Sequence, residues 1–195
     1  MNNRTLKIAT IGLMAALAYI SFTFLQIKIP TPGGYTSFHL GNTFCVLAAL
    51  LIGGIPGGIA GAIGMGIGDV LDPIYITYAP KTIILKLGIG IITGLVAHRI
   101  LHITKKDKPK SVLITTLISA SSGMLFNIIF DPIFSYFYNR YILGIAIEAS
   151  SILASWSALT TTVNAIITVI CATIIYIAIY PRLKTSKTLE KLAPK

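Results

Sequence analysis

The chain of 195 residues is 54% hydrophobic, only 11% charged, and has a mean hydropathy of +0.81, whereas a typical soluble domain carries about 25% charged residues. That excludes an ordinary soluble globular protein, and at roughly 20 residues per span plus short connections the length holds about six membrane helices and no soluble catalytic domain. The net charge of +10 does not point to nucleic acid either, because the basic residues sit at the ends of apolar segments and not on one solvated face.

Hydrophobic runs and breakers place a first span at 7–28, ended by Lys28, Pro30, Pro32 and a Gly33-Gly34 turn. Its basic start and Ala16-Leu17-Ala18 have the look of a cleavable signal, but the run is long enough to span, so an uncleaved first helix is expected. The second span covers 38–53, and the third covers 55–71, opening with Pro56 at an early helical position and ending at Asp72-Pro73. A fourth runs over 81–101 and stops in the basic stretch Lys105–Lys110; a fifth runs over 111–137 with Pro132 as a kink or early end. The sixth, 151–180, is closed by Pro181 and followed by a solvated basic tail, 181–195. The expected fold is a single all-α domain, an integral membrane bundle of six transmembrane helices.

Six spans put both termini on one side. Twelve of the 16 basic residues fall there, and the other four are Lys28, Lys81, Lys86 and Arg140. The positive-inside rule then makes both termini cytoplasmic in a cell membrane. Connections near 29–37, 72–80 and 138–150 face outside.

The third span is dense in glycine, and Gly54/Gly58, Gly57/Gly61 and Gly64/Gly68 are small-xxx-small pairs that let helices approach closely. They lack the Lys and Ser/Thr of a phosphate-binding loop, so any ATPase must be a partner and the chain itself needs no cofactor. Cys45 and Cys171 read as small apolar-facing residues, and His98 with His102, spaced i, i+4, makes a poor metal site.

Polar groups inside spans are costly and normally face a cavity or one another. Here their depths agree. His39 and Asn42 open the second span and Asp69 lies near the outer end of the third. Lys86 is one and a half turns into the fourth. Asn127 and Asp131 share a face of the fifth, and Trp156 and Asn164 lie in the outer part of the sixth. The inner halves read as almost purely apolar. That asymmetry suggests a pocket open to the outside, capped by connections bearing Tyr35, Tyr75, Tyr78, Tyr136, Tyr138 and Tyr141. Tyrosines at this level serve either as interfacial belt residues or as stacking surfaces for a planar ligand. Asp69 or Asp131 is either the ion-pair partner of Lys86 or a ligand contact. Asn42, Asn127 and Asn164 are favoured contacts, because an unpaired amide in a membrane demands a partner. A channel would need polar groups through the whole depth, and an intramembrane hydrolase a catalytic constellation that is not evident. A self-sufficient secondary carrier remains the alternative, and a membrane enzyme a more distant one.

The first span carries Gly12 and Ala16 on a flat strip near its cytoplasmic end, suited to bundle packing or to another membrane protein. With that strip (Gly12-Leu13-Met14-Ala15-Ala16), six spans and basic cytoplasmic ends, the chain resembles the substrate-binding S components of energy-coupling factor (ECF) vitamin transporters. His39-Leu40-Gly41-Asn42 and the segment Leu51–Gly64 with Asp69 downstream add to the likeness. It is most similar to the riboflavin, pyridoxine and hydroxymethylpyrimidine branch. The resemblance implies high-affinity capture of a small vitamin outside the cell, without covalent chemistry. It implies partnership with a transmembrane coupling protein and two cytoplasmic ATPases that use the ATP. It further implies docking of the coupling protein on Gly12 and Ala16, and toppling of the subunit in the lipid bilayer. The expected pocket uses His39, Asn42, Asp69, Lys86, Asn127, Asp131, Trp156 and Asn164, with Tyr75 or Tyr78 in a gating loop.

Overall fold

A computed structural model describes residues 2–32 and 34–194. In chain order the elements are α1 (Asn3–Thr23), an antiparallel hairpin β1 (Ile27–Thr31) and β2 (Gly34–Phe38), α2 (Gly41–Ile52), α3 (Gly54–Leu71), α4 (Ala79–Gly94), α5 (Pro109–Phe137), α6 (Ile147–Thr185) and α7 (Thr188–Leu192). Wider π-type turns extend α4 over Leu95–Ile100 and α5 over Tyr138–Ile142. Five of these helices are long and apolar enough to cross a membrane. The bundle is all-α apart from the hairpin, with six principal helices.

The sixth, α2, is the exception in length. Its 12 residues rise about 18 Å, short of the ~30 Å hydrocarbon core. All but Phe44 are buried, as expected for a helix that is apolar all round. The other helices surround it, and its two ends stop inside the protein. Above it lie the hairpin and the loops that join α3 to α4 and α5 to α6. Below it, Gly53 is the only residue between α2 and α3; its φ of +96° is open to glycine and strained for other residues.

The glycines of α3 are packing devices. A methyl on Gly57 would collide with the backbone of Ala49, one on Gly61 with Cys45, and one on Gly64 with Ala15 and Ala18. On the far side Gly54 and Gly58 meet Gly90, Gly94 and the backbone at Leu87, so α3 and α4 touch main chain to main chain. Outside this seam Ile55, Ile59, Ile63 and Ile67 project every fourth residue onto the exposed face.

Several local expectations are corrected. The first helix ends at Thr23, and residues 27–28 belong to a strand: Ile27, Ile29, Tyr35 and Thr36 favour extended backbone, and Lys28 pairs with Ser37 in the register. Of the turn expected at Gly33-Gly34, Gly33 lies outside the described residues. Pro132 lies inside α5 without ending it, and α6 continues past Pro181 to Thr185. A proline costs one hydrogen bond there, while Tyr180 Oη and Lys184 Nζ both donate to the Lys106 carbonyl at 2.6 and 2.8 Å and anchor the extension.

The basic tail is not simply solvated. Leu189 and Leu192 are buried, Lys7 Nζ donates to the Ala193 carbonyl at 3.0 Å, and Pro194 lies against Gly53, so α7 closes the end of the bundle below α2, opposite the hairpin. Nor are the inner halves purely apolar. Thr93, Thr115, Thr116, Ser119, Thr168, Thr173 and Tyr176 are buried. Thr116 and Ser119 bond carbonyls one turn back at 2.8 Å, which is how hydroxyls enter an apolar helix without a visible charge signal.

Candidate binding site

The hairpin and the helix ends next to it enclose a cavity of about 130 Å³. It sits above the N-terminus of α2, which ends too early to fill that space. Each wall follows from local sequence. Tyr35, Thr36 and Ser37 come from β2, and His39 and Asn42 from the entry to α2; Asp69 comes from the last turn of α3. Tyr75 precedes and Tyr78 ends the short turn Ile76–Tyr78, after which α4, with Pro80 in its first turn, presents Lys81, Thr82 and Lys86. Asn127, Asp131, Ser135 and Asn139 recur every four residues along α5 and its extension, so one face reaches the cavity four times. Trp156, Ser157, Thr160, Thr161 and Asn164 do the same from α6.

All ten side chains singled out as ligand candidates line this one cavity: His39, Asn42, Asp69, Tyr75, Tyr78, Lys86, Asn127, Asp131, Trp156 and Asn164. Sequence reasoning missed Lys81, Ser135, Asn139, Ser157, Thr160 and Thr161. For Asn139 the signal was available, since it continues the four-residue spacing of Asn127, Asp131 and Ser135. The hydroxyl residues carried none, because Ser and Thr are common in membrane helices.

The partners within the cavity differ from those anticipated. Asp131 does not pair with Lys86. Its carboxylate accepts from Lys81 Nζ at 2.9 Å, Ser157 Oγ at 2.7 Å and Thr161 Oγ1 at 2.5 Å, and Lys81 also donates to Ser135 Oγ at 2.8 Å. Lys86 is buried and forms no ion pair among the described residues. Asn164, expected to offer a free amide, is engaged at both ends. Its Oδ1 accepts from the His39 backbone N–H at 3.1 Å and its Nδ2 donates to the Ser37 carbonyl at 3.0 Å.

Other groups lack partners. Asn42 Oδ1, Asn127 Oδ1, Asn139 Oδ1, Asp69 Oδ2, His39 Nδ1 and Tyr75 Oη are buried without a hydrogen bond among the described residues. Burial pushes the Tyr75 phenol up to about 12, so it is a neutral donor and acceptor at ordinary pH. Convergent unmatched polar atoms of this kind are expensive unless something else satisfies them.

The hairpin covers the cavity and is fastened on two sides. Lys28 Nζ meets Asp72 at 2.5 Å and lies over the Tyr75 ring, while Thr36 Oγ1 and Thr160 Oγ1 are 2.8 Å apart. Tyr138 donates to the Thr77 carbonyl at 2.7 Å, tying the loop before α4 to α5. Among the described residues no cluster of three His, Cys, Asp or Glu could hold a metal ion. On the N-terminal half of α1, away from the cavity, Gly12 and Ala16 are exposed, and a methyl on Gly12 would meet nothing within 4 Å.

Comparison with known proteins gives a consistent picture. Residues 2–181 match the family model described as ECF-type riboflavin transporter, S component. Among solved structures, ThiT from Listeria monocytogenes shares the fold at 18% identity, with a TM-score of 0.64 over 99% of this chain and 100% of that one. An uncharacterised protein in the gap 3' region of Pyrococcus woesei is 31% identical over 75 residues, 38% of this chain and 49% of its own length. The match thus spans about half the length of that curated relative.

Proposed function

Because the chain belongs to the ECF-type riboflavin transporter S-component family, we propose that it is the substrate-binding subunit of a vitamin transporter and that the cavity beneath the hairpin is where it captures a small heterocyclic vitamin or vitamin precursor. The observation that carries this reading is the set of buried, unpartnered polar atoms of Asn42, Asp69, Asn127 and Asn139 converging on one outer cavity. A heterocycle with ring nitrogens and hydroxyls supplies their hydrogen bonds, Lys86 meets an electron-rich oxygen, and Trp156 and Tyr75 or Tyr78 cover the ring and its entrance.

The cavity volume of about 130 Å³ is below the common range of roughly 300–1,000 Å³, which favours a single ring of the pyridoxine or hydroxymethylpyrimidine kind. The family description favours riboflavin as the second reading, with the hairpin displaced to admit the larger ring system. A vitamin panel followed by quenching of Trp156, the one tryptophan of the chain, and by native mass spectrometry distinguishes them. Tight binding of one single-ring vitamin is expected, selective riboflavin binding would establish the second reading, and no binding by any member would refute both.

In this reading the captured vitamin enters the cell with a transmembrane coupling protein docked on the Gly12/Ala16 strip and two cytoplasmic ATPases, which use the ATP. The termini are cytoplasmic, as 12 of 16 basic residues suggest. Uptake in vesicles persisting without the ATPases would instead identify a self-sufficient carrier.

A further inference from the structure

Asn164 lies in the cavity wall, yet its amide is directed at main chain. The Ser37 carbonyl that takes its Nδ2–H and the His39 N–H that reaches its Oδ1 are two residues apart, so by strand alternation they lie on the same edge of the chain. One side-chain amide therefore caps the free edge of β2 as a neighbouring strand would. One turn earlier, Thr160 Oγ1 meets Thr36 Oγ1 at 2.8 Å, and Gly34 packs closely against Leu153. Leu153, Thr160 and Asn164 fall on one face of α6, and along that face the hairpin is fastened to the bundle. Asn164 is buried there in a segment where no water competes for the backbone groups it holds.

We propose that Asn164 is a positioning residue: it latches β2 to α6 and so sets the cavity wall formed by Thr36, Ser37 and His39, in place of contacting the ligand itself. This rests on the reading of the cavity as the ligand site, but the latch exists without ligand and is tested without it.

The test is amide hydrogen exchange on the ligand-free protein in nanodiscs, comparing the native chain with Asn164→Ala, Asn164→Asp and Thr160→Val. Each latch bond removed contributes a modest net stabilisation of the closed hairpin, so Asn164→Ala, which loses two, should speed exchange across residues 34–39 about tenfold. Exchange within α2 and the middle of α5 should not change. Asn164→Asp keeps the acceptor for the His39 N–H and loses the donor to Ser37, and Thr160→Val removes one hydroxyl, so both should give smaller increases. If Asn164→Ala does not fold, these two milder variants carry the test. With a bound vitamin, Asn164→Ala should raise the dissociation rate by a similar factor without slowing association. Unchanged hairpin exchange in the ligand-free variants overturns the proposal, whatever happens to affinity. Failure of every vitamin to bind would count against the ligand reading while leaving the exchange result to decide the latch.

Discussion

Removing the Asp131 carboxylate should destabilise the bundle more than removing any other polar group of the cavity. In Asp131→Ala, Lys81 loses its counter-charge and keeps only Ser135, while Ser157 and Thr161 lose their acceptor. The two charged side chains are each 13% exposed, so solvent screens them little. Breaking such a pair by deleting one partner costs about 3–5 kcal/mol, whereas replacing both partners by apolar groups of similar volume is often close to neutral. The expected series is therefore a loss of about 3–5 kcal/mol for Asp131→Ala and recovery of most of it in Lys81→Met with Asp131→Leu. Unfolding in mixed detergent micelles, followed by helicity, reads the stability, and vitamin binding reads the site. If Asp131 only organises the walls, the double variant recovers affinity as well as stability. A cost below about 1 kcal/mol for Asp131→Ala, or stability restored without affinity, would refute the assignment of this carboxylate to structure.

Other substitutions separate contact, packing and docking. Asn127→Ala should weaken ligand binding about three- to tenfold while leaving ligand-free stability unchanged or slightly raised, because its Oδ1 has no partner to lose; isothermal titration and micelle unfolding check the two halves. Gly58→Ala places a methyl 2.8 Å from the Leu87 carbonyl oxygen and 3.0 Å from Leu87 Cα, forcing α3 from α4 at about 1–3 kcal/mol in the same unfolding assay. Gly12→Leu or Ala16→Leu should abolish uptake in reconstituted vesicles with vitamin affinity intact, and loss of affinity would return those residues to internal packing. Leu189→Ala should cost about 2–5 kcal/mol, since this tail residue is buried; a silent substitution would show that α7 does not seal the end of the bundle below α2.

The bundle was legible because membrane helices announce themselves by length and apolarity, and because charge marks their ends. The parts that were not legible are those where backbone hydrogen bonding is settled by tertiary neighbours. Pro181 is a sound stop signal in isolation, but Tyr180 and Lys184 bond the Lys106 carbonyl from either side of it and carry α6 onward. Residues 29–37 read as a connection because their alternation is short and interrupted by Pro30, yet a hairpin forms over 27–38 where β2 can be satisfied from α6. Leu189 and Leu192 are too few to register as an amphipathic helix. They are buried because α2 is short and leaves apolar space beneath it.

Depth in the membrane could be read from residue position, and depth alone brought ten candidates to one cavity. What depth could not supply was the partner of each group, and the chemistry depends on the partner. Lys86 and Lys81 are five residues apart on α4, a step of about 7.5 Å along the axis, and Asp131 pairs with Lys81. The choice falls there because Asp131 sits far enough toward the outer end of α5 to meet α4 at its first turn, beside the hydroxyls of Ser157 and Thr161. Lys86, that much deeper along α4, is left facing the cavity with Asn42 and Asn127. The same reasoning divides the amides. Asn164 meets a strand edge that only the folded hairpin creates, while Asn127 Oδ1 has no hydrogen-bond partner among the described residues. An intramembrane amide thus announces that it has a partner, and only the fold decides whether the partner is main chain or ligand.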